Sequence, residues 1–335
     1  MKEIESEFVF ALTNTGSERA LKLEVETMGL GWRLSYQRRG FVSFKPASDG
    51  EFFSLGALDH GLACARRLCI SLGKQATRAD AEKIIRQHPT YLGGPIHQVR
   101  FINRRMEPAD GNSAACPQPG DCVGTVVELG PEEFWVGLHL HGPFISPDPG
   151  GDGALEMVAD SPSRAWLKLE EATRFFELEF SARDLVVELG CAPGGVVLAL
   201  LRRGVPVIGV DPAKMADAVM ESAVIERRAA PPDRPWFYHC RKPAALASKR
   251  DLGAGVTWFM SDMNQSPDVV LKECARFCKM APSIRKVLIT LKLTDLSQIS
   301  GKQQWFDSLA QMGFKTIRLQ QLGVHHKEFA LLAFK

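Results

Sequence analysis

The sequence predicts an α/β protein: a second half built on a mostly parallel sheet, and a first half forming a smaller α+β domain. Three observations predict it. Short continuous Val/Ile/Leu runs in the second half, in DLVVELG, VPVIGVD and KVLITLKL, have the length of strands and no polar alternation, as strands covered on both faces require. Helix-period segments alternate with them, which is the βαβ rhythm. The chain has 335 residues, 45% of them hydrophobic, which is enough length for two domains and enough apolar surface for two cores.

The elements follow in order. FVFALT (from Phe8) reads as a strand, and NTGS leads into the helix ERALKLEVETMGLG with Ser17 as its N-cap. WRLSYQRRGFVSFKP reads as two strands around a turn at Gln37–Gly40. LGALDHGLACARRLCISLGK is expected to be largely helical. TRADAEKIIRQH is a short helix capped by Thr77, and PIHQVRFINRR is a strand. Residues 106–121, rich in Pro, Gly and small polar residues, read as a loop or linker. TVVELGPEEFWVGLHLHG is a hairpin turning near Gly130–Glu132. PFISPDPGGDGALEM then carries three prolines and three glycines, which places the domain boundary near residue 155, giving domains 1–155 and 156–335.

Beyond it SPSRAWLKLEEATRFF is helical, DLVVELG a strand, GGVVLALLRRG a helix, VPVIGVD a strand and AKMADAVMESAVIERR a helix. WFYHC and VTWFMSD are strands, SPDVVLKECARFCKMA a helix, KVLITLKL a strand and KQQWFDSLAQMG a helix. KTIRLQQL and EFALLAFK close the chain as strands, separated only by GVHHK, the spacing of an antiparallel hairpin.

Composition removes several function classes. A net charge of +2 excludes a histone-like polycation, while a local basic patch for nucleic acid stays open. No apolar run reaches the ~18 residues of a membrane span, and the acidic start MKEIESEF is not a secretory or transit signal. The eight cysteines, at 64, 69, 116, 122, 191, 240, 274 and 278, are scattered and form no CxxC, so no disulfide scaffold is expected. Cys274 and Cys278 stand one helical turn apart, but no second pair lies near them, and no metal is expected. The expectation is a reduced, cytoplasmic, soluble protein with no membrane partner, for which a monomer needs no extra assumption.

The strongest local signal is VVELGCAPGG. A strand runs straight into a glycine-rich turn (Gly190, Cys191, Ala192, Pro193, Gly194, Gly195) and then a helix, the place where open α/β sheets bind ligands. The next strand ends in Asp211, a carboxylate able to accept both hydroxyls of a ribose. Dinucleotide sites use GxGxxG. Here Ala192 takes the place of the second glycine and Pro193 sits in the turn, which disfavours NAD and fits S-adenosylmethionine, a ligand with no pyrophosphate to cradle. A turn that binds no ligand is the alternative reading.

SRAWLKLEEA, LGCAPGG, VDPAKM, SDM and LITLKL, in this order between Ser161 and Lys335, resemble the FtsJ-like (RrmJ-type) RNA ribose 2'-O-methyltransferases. The resemblance implies a Rossmann-like methyltransferase domain. DSPSRAWLKLEEA and TWFMSDM, with the following strand ending in lysine, are closest to the bacterial members that methylate a cytidine of 23S rRNA. Those members carry a ferredoxin-like and THUMP-like RNA-docking region in front, implied here for the α+β half on element order alone. The resemblance further implies a Lys–Asp–Lys–Glu tetrad at Lys168, Asp262, Lys292 and Glu328, with Asp262 also near the methionine part of the cofactor. The products are 2'-O-methylated RNA and S-adenosylhomocysteine.

The chemistry requires these residue types. A ribose hydroxyl attacks only as its proton leaves, while the sulfonium methyl is already activated, so the enzyme aligns the attack and removes one proton. Lys292 is the candidate base. Burial and the like charge of Lys168 favour its neutral form, and Asp262 and Glu328 oppose that while orienting it. A lysine or glutamate at a strand end is by itself an ordinary solvated charge; four in order on the right elements are not.

Some residues depart from the family pattern. Val196 stands where Trp is common, and His239, Cys240 and Arg241 stand where an acidic residue reaches the adenine; Asp233 is a remote substitute. Arg38, Arg39, Arg104, Arg105, Arg164, Lys242, Lys249 and Arg250 are available to phosphates, as are His325 and His326, although surface histidines are the commoner case. The first 150 residues hold 16 basic and 18 acidic groups, so RNA docking there rests on shape and a local patch. Two other functions stay open: 2'-O-methylation of tRNA or another rRNA site, and a non-catalytic RNA-binding assembly factor of the same fold.

Overall fold

Residues 4–58, 61–102, 105–108, 116–153, 155–222 and 235–335 are described by a computed structural model. Arg104, Asp233, residues 109–115 of the expected linker and the last six residues of the helix expected over 213–228 lie outside these residues. The chain divides into two compact units. One comprises Met1–Ala154, Arg174–Glu177 and Gln320–His326, and the other Leu155–Thr173, Leu178–Leu319 and Lys327–Lys335.

The first unit contains β1 (Glu5–Ser6), β2 (Val9–Leu12), α1 (Glu18–Thr27), β3 (Arg33–Arg38), β4 (Phe41–Lys45), β5 (Phe53–Ser54), β6 (Arg67–Gln75), α2 (Arg78–Gln87), β7 (Ile96–Ile102), β8 (Arg105–Pro108), β9 (Cys122–Gly130) and β10 (Glu133–Leu140). An eight-stranded sheet has the order β3-β4-β2-β6-β10-β9-β7-β8, with β1 and β5 paired separately. β7 and β9 run parallel. Phe10, Leu12, Phe41, Cys69, Val99, Met106, Val127 and Trp135 form a buried cluster. α2 lies so close to β9 that a Cβ on Gly124 would stand 2.7 Å from Cγ2 of Ile85.

Two local elements differ from the sequence expectation. The segment expected to be helical gives only one 3-10 turn, Leu55–Ala57, and then the nine-residue strand β6. β6 is claimed by β2 on one side and β10 on the other, and this long-range pairing decides a stretch with no clear period of its own. Ser17 precedes α1 but makes no side-chain cap, because its backbone is not extended (φ −96°, ψ 3°). The carboxylate of Glu18 instead accepts from Gly16 N at 3.0 Å and Gly40 N at 2.6 Å, tying the helix start to the β3–β4 turn. Thr77 caps α2 as expected, accepting from Asp80 N.

Within the same unit Asn14 Nδ2 donates to the carbonyls of Leu322 and His325, both at 2.8 Å, and Gln320 Nε2 donates to those of Ala63 and Ala65. His325 is therefore buried, at 2% exposure, rather than offered to RNA; His326 is exposed.

The second unit contains α3 (Ala165–Phe175, its last residues counted with the first unit), β11 (Val186–Leu189), α4 (Gly195–Arg202), β12 (Val207–Val210), α5 (Asp217–Ser222), β13 (Phe237–Cys240), α6 (Lys249–Leu252), β14 (Trp258–Ser261), α7 (Pro267–Met280), β15 (Lys286–Lys292), α8 (Lys302–Gln311), β16 (Thr316–Gln320, its last residue counted with the first unit) and β17 (Glu328–Phe334). The sheet order is β13-β12-β11-β14-β15-β17-β16. The first five strands are parallel and β17 runs antiparallel to β15. This is the mostly parallel α/β sheet that the sequence predicts. β16 and β17 are neighbours, but β17 is threaded between β15 and β16 rather than closing the sheet at its edge.

The strand cores are buried because both sheet faces are covered, so apolar runs are what this position selects. Val186, Val187, Leu189, Val207, Ile208, Phe237, Phe259, Val287, Ile289 and Leu291 are all fully buried. The register aligns the carboxyl ends: Leu189 pairs with Val210 and Ser261, Val210 with Cys240, and Ser261 with Ile289. Residues following these strands therefore gather along one edge, and the strand order reverses between β11 and β14, where α/β sheets open a crevice.

Candidate functional site

The β11–α4 turn is shaped by three glycines. Gly190 has φ +74° and a Cβ there would stand 3.0 Å from the backbone of Met263. Gly194 has φ +115°, and its Cβ would stand 2.5 Å from Val219 and 2.8 Å from Met215. Gly195 starts α4 against α3: its Cβ would meet Ser163 Oγ and stand 2.8 Å from Trp166 N. Between them Cys191 is buried and the Ala192–Pro193 peptide is cis. The cradle is made of backbone because no side chain fits there.

Asp211 follows β12 and faces this turn. Its carboxylate accepts from Ala192 N at 3.2 Å and Ala213 N at 2.8 Å. The structure thus joins the glycine turn and Asp211, which the sequence proposed as one ligand site.

Glu188 is a member the sequence reading missed. It sits in β11 at 2% exposure, and its Oε2 has no partner among the described residues. Burial, and then the charges of Asp262 and Asp211, push its carboxyl well above the ordinary range. The signal was available: one acidic residue inside a strand whose other members are fully buried apolar ones. An orphaned buried carboxyl oxygen between two further carboxylates fits a cationic ligand that brings its own N–H donors. It does not fit a pyrophosphate. The ammonium and sulfonium of S-adenosylmethionine have the right charge, so these residues fit that cofactor.

Beside the cradle lie Lys168, Asp262, Lys292 and Glu328. Lys168 reaches across from α3, Asp262 follows β14, Lys292 ends β15 and Glu328 opens β17 as the register partner of Lys292. Lys168 Nζ donates to Asp262 Oδ1 at 3.0 Å and to Glu328 Oε1 at 2.9 Å. Lys292 Nζ donates to the backbone carbonyl of Asp262 at 2.8 Å and lies 3.2 Å from Asp262 Oδ1. The four side chains are 14–23% exposed, partly desolvated yet open at one side. The result is a chain Glu328–Lys168–Asp262–Lys292 of alternating charge. It fixes Lys292 Nζ from two sides and leaves a further position on that nitrogen for a substrate group.

The surrounding cations divide. Arg38, Arg39, Arg164, Lys249 and Arg250 are exposed, Lys242 pairs with Asp251, and Arg241 donates to the carbonyl of Pro212. Val196 is buried in α4. Cys274 and Cys278 are buried in α7 and hydrogen-bonded to each other. Among the described residues no helix is long and apolar enough to cross a membrane, and no His/Cys/Asp/Glu group has metal-holding geometry.

Residues 162–314 match the family model described as FtsJ-like methyltransferase. The Ribosomal RNA large subunit methyltransferase M of Shewanella sediminis (strain HAW-EB3) is 33% identical over 134 residues, 35% of this chain and 37% of that protein. The protein of the same name from Idiomarina loihiensis is 28% identical over 188 residues, 53% of this chain and 47% of that protein. The matches thus span less than half the length of either relative. Among solved structures, Aeropyrum pernix fibrillarin in complex with S-adenosyl-L-methionine has a TM-score of 0.36 at 17% identity, covering 71% of this chain and 97% of that one. Lys168, Asp262 and Lys292 lie within the matched residues and Glu328 beyond them.

Proposed function

We propose, from the FtsJ-like methyltransferase domain that residues 162–314 form, that this protein transfers the methyl group of S-adenosylmethionine to a ribose 2'-hydroxyl of ribosomal RNA, on a cytidine of 23S rRNA. The observation that carries the reading is the Glu328–Lys168–Asp262–Lys292 chain beside the glycine cradle at the carboxyl edge of the sheet. The named relatives support the rRNA class.

In this mechanism the backbone of Gly190 to Gly195 and Asp211 would hold the cofactor, Asp211 at its ribose, with Glu188 and Asp262 as the carboxyl groups available to its positive charge. The bound cofactor supplies a methyl group already activated on a sulfonium. Lys292 would hold the 2'-oxygen and take its proton as the new O–C bond forms and the S–CH3 bond of the sulfonium breaks, with S-adenosylhomocysteine as the leaving group; the proton would then pass to solvent. Asp262 aims Lys292, and Lys168, held by Asp262 and Glu328, adds positive charge that would stabilise the developing alkoxide. No metal is assigned a role. The N-terminal unit docks RNA, with Arg38 and Arg39 on the β3–β4 turn among the cations available for phosphate contact.

The test is tritiated methyl transfer to 23S rRNA from cells lacking this protein, with Lys292→Ala alongside and alkali-resistant linkages mapped. Label at one ribose, lost in the variant, is expected. Cofactor binding with label only on another RNA would move the substrate. Cofactor binding with no label on any RNA or ribosomal particle would leave an RNA-binding assembly factor. No cofactor binding would overturn the reading.

A further inference from the structure

We propose that Asp251, delivered from α6, is the residue that reads the 6-amino group of the cofactor's adenine; this rests on the function proposed above. A ligand that runs from the glycine turn past Asp211 next meets the end of β13, because Asp211 N donates to the carbonyl of Cys240 at 3.3 Å and the two strand ends are adjacent. An adenine there needs an acceptor for its amino hydrogens. The strand end itself offers donors. His239 Nε2 is engaged with the carbonyl of Asp211 at 3.0 Å, Arg241 is a cation, and the Cys240 thiol is kept protonated by burial and then by the neighbouring Asp251 charge.

Asp251 brings the missing acceptor to this place. Its carboxylate accepts a hydrogen bond from the Cys240 thiol. Lys242 Nζ lies 2.9 Å from Oδ1, and Ser248 N and Oγ lie 2.7 Å and 2.8 Å from Oδ2. The side chain is 12% exposed, which leaves a narrow approach. Burial works to raise its pKa, but the Lys242 bond and then the Ser248 bonds outweigh it and hold the group at about 2, so it is a permanent acceptor.

The loop that carries Asp251 is fixed rather than loose. Ser248 and Asp251 close a capping box around α6, and Arg276 of α7 donates to the carbonyls of Ala244 and Ala247 at 2.5 Å and 2.7 Å. The occupant of Oδ1 is the replaceable one. The Lys242 side chain is 37% exposed and can return to water, which makes its ion pair a weak one. An adenine amino group takes that position.

The experiment is calorimetric binding of S-adenosylhomocysteine and its 6-oxo analogue S-inosylhomocysteine to the full chain. The parent is expected to prefer the adenosyl ligand by about tenfold or more, the range for one hydrogen bond to a charged group. Asp251→Asn is expected to lose that preference, and Asp251→Asn with Cys240→Asp to regain it, because a carboxylate then stands at the strand end. Ser248→Ala breaks the same capping box without removing the carboxylate, so it is expected to keep the preference. Retained preference in Asp251→Asn, or equal loss in Ser248→Ala, would overturn the assignment while leaving the methyltransferase reading intact. A parent that binds neither ligand would overturn both.

Discussion

Replacing Gly195 by alanine tests whether the cradle also seats the tetrad. The new methyl would stand 2.8 Å from Trp166 N and 2.9 Å from Ser163 O. Both are backbone atoms of the chain entering α3, so no side-chain rotation relieves the overlap. Ordinary contact needs about 3.5 Å, so this turn must retreat by about 0.6 Å. Lys168 lies on the same helix, and its bonds to Asp262 and Glu328 at 3.0 Å and 2.9 Å cannot both survive such a shift. Overpacking of this kind costs about 1–3 kcal/mol. A misplacement of about 1 Å costs on the order of 10²-fold in rate, so about tenfold is expected for half of it. The assay is kcat for methyl transfer at saturating cofactor, with a thermal melt on the same sample. A lower melting temperature with kcat reduced about tenfold is expected. A variant with parental melting temperature and parental kcat would refute the claim that Gly195 sets the position of Lys168.

Glu188→Gln tests the buried carboxyl. Its folded pKa is raised above the ordinary 4.5, so the unfolded chain releases the proton first, and stability falls as pH rises from 4.5 toward the raised value. The cofactor-free variant should therefore have a higher urea midpoint than the parent at pH 7 and a similar one near pH 4, and should bind S-adenosylmethionine more weakly. His97 behaves in the opposite sense: burial, then the charges of Arg67 and His141, lower it from 6.5 to about 3. The stability it contributes is complete above pH 6.5 and is lost as pH falls from there toward 3. His97→Gln should flatten urea midpoints over that window, removing a slope of about 1.4 kcal/mol per pH unit. Thr77→Ala removes the cap on Asp80 N and should cost about 1 kcal/mol in chemical denaturation.

The parts of the fold legible in the sequence are those that local pattern decides. The parallel strands are apolar runs of the right length, and the glycine turn carries its own punctuation. The four tetrad positions were read through the family resemblance, three at strand ends and one on the preceding helix, and the structure brings all four side chains together. β6 was not legible, because partners on both sides, rather than its own period, make Arg67–Gln75 a strand. Ser17 was misread because Glu18, the next residue, reaches the turn that a cap would have served. Glu188 was passed over as a strand residue, and Asp251 reads in sequence only as the last member of an S-x-x-D helix start.

The discontinuity of the first unit bears on how the chain folds as it is made. Synthesis proceeds from the N-terminus at about 5–20 residues per second, and domains generally form as units in that order. Here the carbonyls that satisfy Asn14 belong to Leu322 and His325, and the partners of Ala63 and Ala65 come from Gln320 and Gln321. The unit translated first therefore waits for residues translated much later to close its own hydrogen bonds. A chain arrested between the two would hold Asn14 and the carbonyls of Ala63 and Ala65 without their native partners, an incompletely closed form of the kind that chaperones and proteases recognise.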